Sequence, residues 1–367
     1  MLNDLNKAEL DYSDVLIVPK SSEINSRKDV DITKVYTFKW GAKPIEGCGV
    51  IAANMFTTGT FAIAREFQKH KMFTALHKHY SSEQIIEFLE NNRKTFGNND
   101  YIFISTGLRS EDFKKLSEVM ITGLCNNICL DAPNAYIPAF KATLNKLRLF
   151  FPKAVIMAGN AVTSDKVGEL IREGADLLKV GLGSGACCAT RVQTGVGRPQ
   201  FSAIQDCIYA ARQNGGMICA DGGITNPGDI CKAFGANSDF VMIGNLIAGS
   251  NEAGGEKVIK RYLSNELDSN NEPIIEEKVF KINYGMASDR AQKLHYGGVQ
   301  EYRANEGIVS LVPYTGPVQN TLRNIEGGLR SCMTYVGAKN LAELPQHVTF
   351  CRVNHQINRL KGSREIE

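Results

Sequence analysis

The chain turns on Leu178-Lys179-Val180-Gly181-Leu182-Gly183-Ser184-Gly185-Ala186-Cys187-Cys188-Ala189-Thr190-Arg191, followed by Val192-Gln193-Thr194-Gly195-Val196-Gly197-Arg198-Pro199-Gln200. Its apolar opening reads as a buried strand. The glycines at 181, 183 and 185 let the backbone turn tightly and bring amides and carbonyls close to a ligand. Cys187 and Cys188 lie in that loop, with Thr190 and Arg191 just behind. A thiol beside a cation and open backbone amides can act as a nucleophile. Cysteine is also a residue that simply packs in interiors, and this chain has ten of them. A glycine loop at a strand's end is what sets this one apart.

The same unit recurs on both sides. Short apolar runs that end in small or polar residues lie at 49–55, 73–77, 101–107 and 127–131, then at 154–160, 176–183, 216–223 and 240–244. Continuous runs of this kind fit parallel strands covered on both faces. Helical patterns lie between them. Ser82 to Leu89 repeats its apolar residues at helical spacing, and Ser110-Glu111-Asp112 opens another helix with early acids. Thr163-Ser164-Asp165 and Asn226-Pro227-Gly228-Asp229 start two more. Eight alternations predict a closed (β/α)8 barrel, with an open doubly wound sheet as the competitor.

A barrel requires polar and glycine-rich residues to collect where strands end, because its active sites sit at that face. Asn54-Met55, His77-Lys78-His79-Tyr80, Ser105-Thr106-Gly107, Asp131, Gly159-Asn160, the Gly183 loop, Asp221-Gly222-Gly223 and Gly244-Asn245 all occupy such ends. The pattern breaks after the eighth strand. A charged stretch at about 254–281, containing Asp268-Ser269-Asn270-Asn271-Glu272-Pro273, reads as a mobile, flap-like excursion. A C-terminal extension follows, with a helical run from Asn320 to Met333. Residues 1–367 are expected to form one barrel domain.

Composition narrows the class. Of 367 residues, 43% are hydrophobic and 22% charged, which is ordinary for a soluble globular protein. A formal net charge of +3 gives no reason to expect nucleic acid or a membrane as partner. The N-terminus lacks a signal pattern, and no apolar run approaches a membrane span. Ten cysteines without C-x-x-C pairs fit reduced thiols, so a cytoplasmic location is expected.

Four groups of residues could carry chemistry. Asp221-Gly222-Gly223 and Gly244-Asn245 follow the seventh and eighth strands, where many barrels bind a phosphate. Asp221 itself suits a pair of ribose hydroxyls better than a phosphate. If Cys188 attacks an electron-poor ring carbon, a hydroxyl backed by a carboxylate can protonate the leaving group. Thr190 and Glu306 are of the right types, although spacing alone does not pair them. The carbonyls of the glycine loop, with those of Cys188 and Arg191, offer a monovalent-cation site, while tight turns explain the glycines equally well. Lys78 suits a cofactor phosphate, and His77 and His79 read as packing or hydrogen-bonding groups because no third metal ligand is suitably spaced.

Asp11-Tyr12-Ser13-Asp14-Val15-Leu16-Ile17-Val18-Pro19-Lys20, Ala52-Ala53-Asn54-Met55, His77-Lys78-His79-Tyr80, Cys188-Ala189-Thr190-Arg191, Thr194-Gly195-Val196-Gly197 and Tyr302-Arg303-Ala304 carry a resemblance. Over nearly its whole length the chain resembles the inosine-monophosphate dehydrogenase and guanosine-monophosphate reductase family, in its reductase branch. The resemblance implies reductive deamination of GMP by NADPH to give IMP, ammonia and NADP. Cys188 would form a covalent thioimidate at the purine C2, with Thr190 and Glu306 protonating the departing amine. It further implies that Asp221, Gly222, Gly223, Gly244, Asn245, Met286, Ala287, Ser288, Arg303, Asn305 and Gly307 hold the nucleotide. Ser26, Arg27, Lys78, Asp131, Ala132, Pro133, Leu182, Gly183, Tyr302, Ser331, Cys332, Met333 and Thr334 would contact NADPH, some from a neighbouring subunit of a homotetramer. Gly183, Gly185, Cys188 and Arg191 would bind potassium.

The chain departs from the family pattern at Phe56 (aspartate in the family), Ala186 and Ala287 (serine), Ala189 (threonine), Asn245 (glycine), Ile308 (a basic residue) and Pro133-Asn134-Ala135 (alanine-asparagine-glycine). Two alternatives stay open on those grounds: a reductase of a modified purine nucleotide or base, and a purine-nucleotide-binding homologue without catalysis.

Overall fold

The computed structural model describes residues 8–267, 271, 273–295, 297–298 and 304–354. Eight parallel strands close a barrel in sequence order: β1 (Val50–Ala52), β2 (Phe73–Leu76), β3 (Ile102–Thr106), β4 (Asn127–Asp131), β5 (Val155–Ala161), β6 (Leu177–Val180), β7 (Met217–Asp221) and β8 (Phe240–Ile243). β8 pairs back onto β1, so no strand edge remains open. Each of the eight apolar runs is thus a barrel strand.

Alternation along the strands makes two apolar layers. On β1, Ile51 faces the barrel interior beside Phe73, Phe103, Met157 and Phe240. Its neighbours Val50 and Ala52 pack outward against the helices. A short hairpin, Lys34–Tyr36 with Ile45–Gly47, plugs the N-terminal end, where Tyr36 stacks on Phe240 at 4.2 Å between ring centroids. That closure leaves the opposite end, with its polar strand termini, as the open mouth.

The helices start where their caps stand. Thr60 caps Phe61–Lys69, Ser81 forms a capping box with Gln84 at the start of Ser82–Phe96, and Asn226 caps Pro227–Gly235. The helix Val318–Val336 packs against Pro227–Gly235 and Phe61–Lys69. Phe350–Arg352 pairs with Val15–Ile17, tying the two ends of the chain together.

The stretch after β8 is more regular than its composition predicts. β9 (Lys257–Leu267) and β10 (Pro273–Tyr284) form a long antiparallel ribbon, and β11 (Val309–Pro313) joins the inner part of β10. Charged residues sit on this ribbon because much of it is exposed, while cross-strand pairing holds it in shape. Asp268, Ser269, Asn270 and Glu272 of the expected excursion lie outside the described residues.

Candidate active site

The mouth of the barrel opens into a cleft of about 740 Å³, lined by loops that follow most of the barrel strands and by the segments flanking β10 and β11. The glycine loop after β6 forms one wall. Gly181 must lack a side chain, because a Cβ there would collide with the Asp221 carbonyl of the next loop. Gly183 has φ +80°, a left-handed conformation that favours glycine, and lies against the Arg191 side chain.

Cys188 stands half-buried in this loop, and its thiol donates to Thr190 Oγ1 at 3.2 Å. Thr190 Oγ1 in turn donates to Glu306 Oε2 at 2.7 Å across a sequence separation of 116 residues. Backbone bonds fix that meeting. Ala189 N donates to the Glu306 carbonyl at 2.7 Å, and Cys188 forms a β-bridge with Gly307. The neighbouring thiol is set differently. Cys187 is buried, accepts from Asn283 Nδ2 at 3.2 Å and lies 3.9 Å from Ser310 Oγ. Burial pushes its pKa up, with the nearby Cys188 adding to that, which disfavours a thiolate.

Beside the cysteine loop, at the strand ends, lies an ionic cluster. Lys179, inside the barrel on β6, pairs with Asp131 at the end of β4 and with Asp221 at the end of β7, the latter at 3.3 Å. Burial alone would lower the lysine pKa, but Asp131 and Asp221 together hold it well above its usual value. Burial opposes ionisation of Asp131, and Lys179 outweighs it, so that carboxyl titrates below its usual range. Asn160 Nδ2 donates to Asp221 Oδ2 at 2.8 Å, leaving the other carboxylate oxygen of Asp221 for a ligand. Lys179 and Asn160 were not singled out as site residues in the sequence. A lysine within the run Leu177-Leu178-Lys179-Val180 is the signal for the first, since charge enters a buried strand only with a partner.

Most expected residues converge on the cleft. Cys188, Thr190, Glu306, Asp221, Gly222, Gly223, Gly244, Asn245, Met286, Ala287, Asn305, Gly307, Lys78, Asp131, Ala132, Pro133, Leu182, Gly183 and Gly185 all line it. Others do not. Ser288 is fully buried, and its Oγ accepts from Ala291 N at 3.3 Å. Arg191 turns its guanidinium away to Asp11 Oδ2 at 3.1 Å and the Arg198 carbonyl at 2.5 Å. Ser26 caps the turn Arg27–Asp29, which packs on the helix carrying Ser331, Cys332, Met333 and Thr334, a patch outside the cleft of the same chain. Met333 there is fully buried, and Thr334 Oγ1 donates to the Arg330 carbonyl. Tyr302 and Arg303 lie outside the described residues.

The departures divide likewise. Ala186, Asn245, Ala287 and Pro133 line the cleft, whereas Phe56, Ala189 and Ile308 do not. Phe56 instead packs among His77, Tyr284 and His295, with centroid distances of 5.1, 6.0 and 4.9 Å.

Comparison with known proteins places this geometry. Residues 9–359 match the model of the IMP dehydrogenase / GMP reductase domain. The GMP reductase of Aeromonas hydrophila subsp. hydrophila is 46% identical over 356 residues, covering 96% of this chain and 97% of that protein. The GMP reductase of Caenorhabditis elegans is 44% identical over 356 residues, with 96% and 94% covered. GMP reductase 2 of Mus musculus is 44% identical over 354 residues, with 96% and 97% covered. On its sequence, its barrel and the arrangement at its mouth, the chain belongs to the IMP dehydrogenase / GMP reductase family.

Proposed function

We propose that this chain reduces GMP to IMP with NADPH and releases ammonia. The observation that carries the reading is the continuous hydrogen-bonded line from Cys188 through Thr190 to Glu306 at the mouth of the cleft. A sulfur, a hydroxyl and a carboxylate in series are what an exchange of an amine at an electron-poor ring carbon needs.

In this reading the Cys188 sulfur bonds to C2 of the purine and the bond from C2 to the exocyclic amine breaks. The thiol proton passes through Thr190 to Glu306 as the carbon–sulfur bond forms and returns by the same line to the departing amine, so the thioimidate stays on the enzyme. NADPH, when bound, supplies the hydride that ends on C2 as the carbon–sulfur bond breaks and Cys188 is regenerated. Asp221, steadied by Lys179 and Asn160, accepts from the ribose hydroxyls. The turns at Gly222-Gly223 and Gly244-Asn245 take the phosphate.

The cleft also takes in Lys78, Gly107, Arg109 and Asp112, and the two cations there suit the phosphates of NADPH. Ser26, Arg27 and the 331–334 patch would reach it from a neighbouring subunit of a homotetramer. The carbonyls of Gly183, Gly185, Cys188 and Arg191 would hold potassium, an all-oxygen set suited to a hard monovalent ion that would brace the cysteine loop. Among the described residues no helix is long and apolar enough to cross a membrane, and we place the enzyme in the cytoplasm.

The test is loss of NADPH absorbance with GMP and a panel of modified purine nucleotides and bases, alongside ammonia release and mass spectrometry of a Cys188 adduct. GMP should turn over fastest, and more so with potassium than with lithium. A faster modified purine would point to the second reading, which the alanines at 186 and 287 favour by withholding hydroxyl donors from the cleft. Tight binding of GMP with neither ammonia nor adduct would mean a binding protein.

A further inference from the structure

Away from the cleft, the helices Pro227–Gly235 and Val318–Val336 pack side by side. Gly328 lets them come close, since a Cβ there would stand 2.7 Å from Pro227 Cβ. One helical turn further along both helices, Cys231 and Cys332 meet. Cys231 is buried, with its sulfur 3.7 Å from the Gly328 carbonyl oxygen, and Cys332 is half-buried, within reach of solvent. The two side chains are hydrogen-bonded to each other. The Cys231 thiol, donating to the Cys332 sulfur, holds the Cys332 pKa below its usual value against burial, and the same bond together with burial pushes Cys231 well up. Elsewhere burial works alone. It pushes Cys48, Cys125, Cys129 and Cys207 up to about 12, so none of these competes as an attacking thiol. An accessible sulfur inclined to ionise, with a second thiol against it to resolve, is the arrangement that oxidises to a disulfide.

We propose that Cys231 and Cys332 are a redox site, which a peroxide joins in a reversible disulfide, and that the joined form binds NADPH more weakly. The Cys332 thiolate attacks one peroxide oxygen, the oxygen–oxygen bond breaks, and a sulfenic acid and one water result. The Cys231 sulfur then bonds to the Cys332 sulfur, and its proton leaves with the sulfenic hydroxyl as a second water. The two thiols lose two electrons and the peroxide gains them. The effect on NADPH rests on the reading of Ser26, Arg27 and residues 331–334 as cofactor contacts. These form one unit, because the turn Arg27–Asp29 packs on the helix Val318–Val336 and Arg330 donates to the Val30 carbonyl. The disulfide takes the Cys332 sulfur out of that patch and draws the end of its helix toward Pro227–Gly235.

The test treats the intact protein with hydrogen peroxide while IMP covers Cys188, then maps its peptides by mass spectrometry and titrates NADPH by its fluorescence. IMP and NADPH are a product and a substrate of the proposed reaction, so no turnover intervenes. The parent should give a peptide linked through Cys231 and Cys332, and its Kd for NADPH should rise about tenfold. Dithiothreitol should reverse both. Cys231→Ala and Cys231→Ser keep Cys332 but cannot close the bond, and their Kd should match that of the reduced parent and hold steady under peroxide. Absence of the linked peptide, a linked form with unchanged NADPH affinity, or an equal rise in Kd in the Cys231 variants would overturn the proposal. A reduced parent that fails to bind NADPH would overturn the functional reading and the cofactor effect with it, whereas a parent that binds NADPH and yields no linked peptide would overturn this inference alone.

Discussion

The two sides of the cleft are built on different principles. The barrel side carries Asp131, Lys179 and Asp221 on strand ends, where a buried lysine joins two carboxylates and the side chains belong to the core as much as to the site. The far side comes from the segments around β10 and β11, which bring Glu306 and Gly307 to the cysteine loop through a few backbone bonds and a β-bridge. A substitution on the first side therefore disturbs folding and binding together. One on the second can remove a chemical group while the barrel stands. The cysteine loop lies between the two, and the largest predicted effect falls there.

Cys188→Ala should abolish turnover, by at least about 10⁴-fold, because the bond to carbon has no substitute. Cys187→Ala should leave turnover within a few-fold, since that sulfur is buried and held by Asn283. Steady-state rates with an intact melting temperature check both, and a reversal of the two outcomes would move the chemistry to the other sulfur. Glu306→Gln keeps the acceptor shape but cannot feed a proton to Thr190. It should cost about 10³-fold in kcat, with little change in melting temperature or in IMP affinity. Equal losses in stability and rate would show that the far side is as structural as the barrel side.

Lys179→Met tests the barrel side. Removing the cation leaves the half-buried carboxylates of Asp131 and Asp221 without the charge that joins them, so the fold should lose about 3 kcal/mol in a urea titration. The same variant should also bind nucleotide less well. A change under about 1 kcal/mol would mean that water already screens the cluster.

How far the sequence could be read follows the same division. All eight barrel strands were legible because strands covered on both faces need continuous apolar runs, and the polar residues at their ends mark the open mouth. The ribbon was not. On β9 and β10 the exposed pairs Arg261–Glu277 and Lys260–Lys278 mix charge with apolar residues, so neither periodicity nor burial announced a strand. Lys281 is in fact buried, with its ammonium donating to the Ser250 carbonyl at 2.8 Å, which composition reads as a solvated charge. The partnership of Thr190 with Glu306 came from family resemblance alone, since nothing local links residues 116 apart. Asn283 gave no signal either, because an asparagine near the end of a charged stretch is most often a surface residue.

The smallest predicted effect concerns the seam where the two sides meet. His77, at the end of β2, stacks on Phe56 and Tyr80, and Phe56 in turn meets Tyr284 of β10. Burial, reinforced by the nearby His295, pushes the His77 pKa down to about 3. Its Nδ1 accepts from His79 N at 3.2 Å, a bond that a proton on Nδ1 would break. In the unfolded chain the imidazole titrates near its ordinary value of about 6.5. Above that pH neither state is protonated and this group makes no contribution to the slope. Between about 6.5 and 3 the unfolded state binds the extra proton, so stability falls as pH falls, by up to about 1.4 kcal/mol per pH unit. His77→Asn keeps an acceptor near the Nδ1 position but cannot take up the proton. Denaturant midpoints at pH 7, 6 and 5 should show a shallower acid slope for this variant than for the parent, while an unchanged slope would assign the acid sensitivity to other groups and leave the seam indifferent to pH.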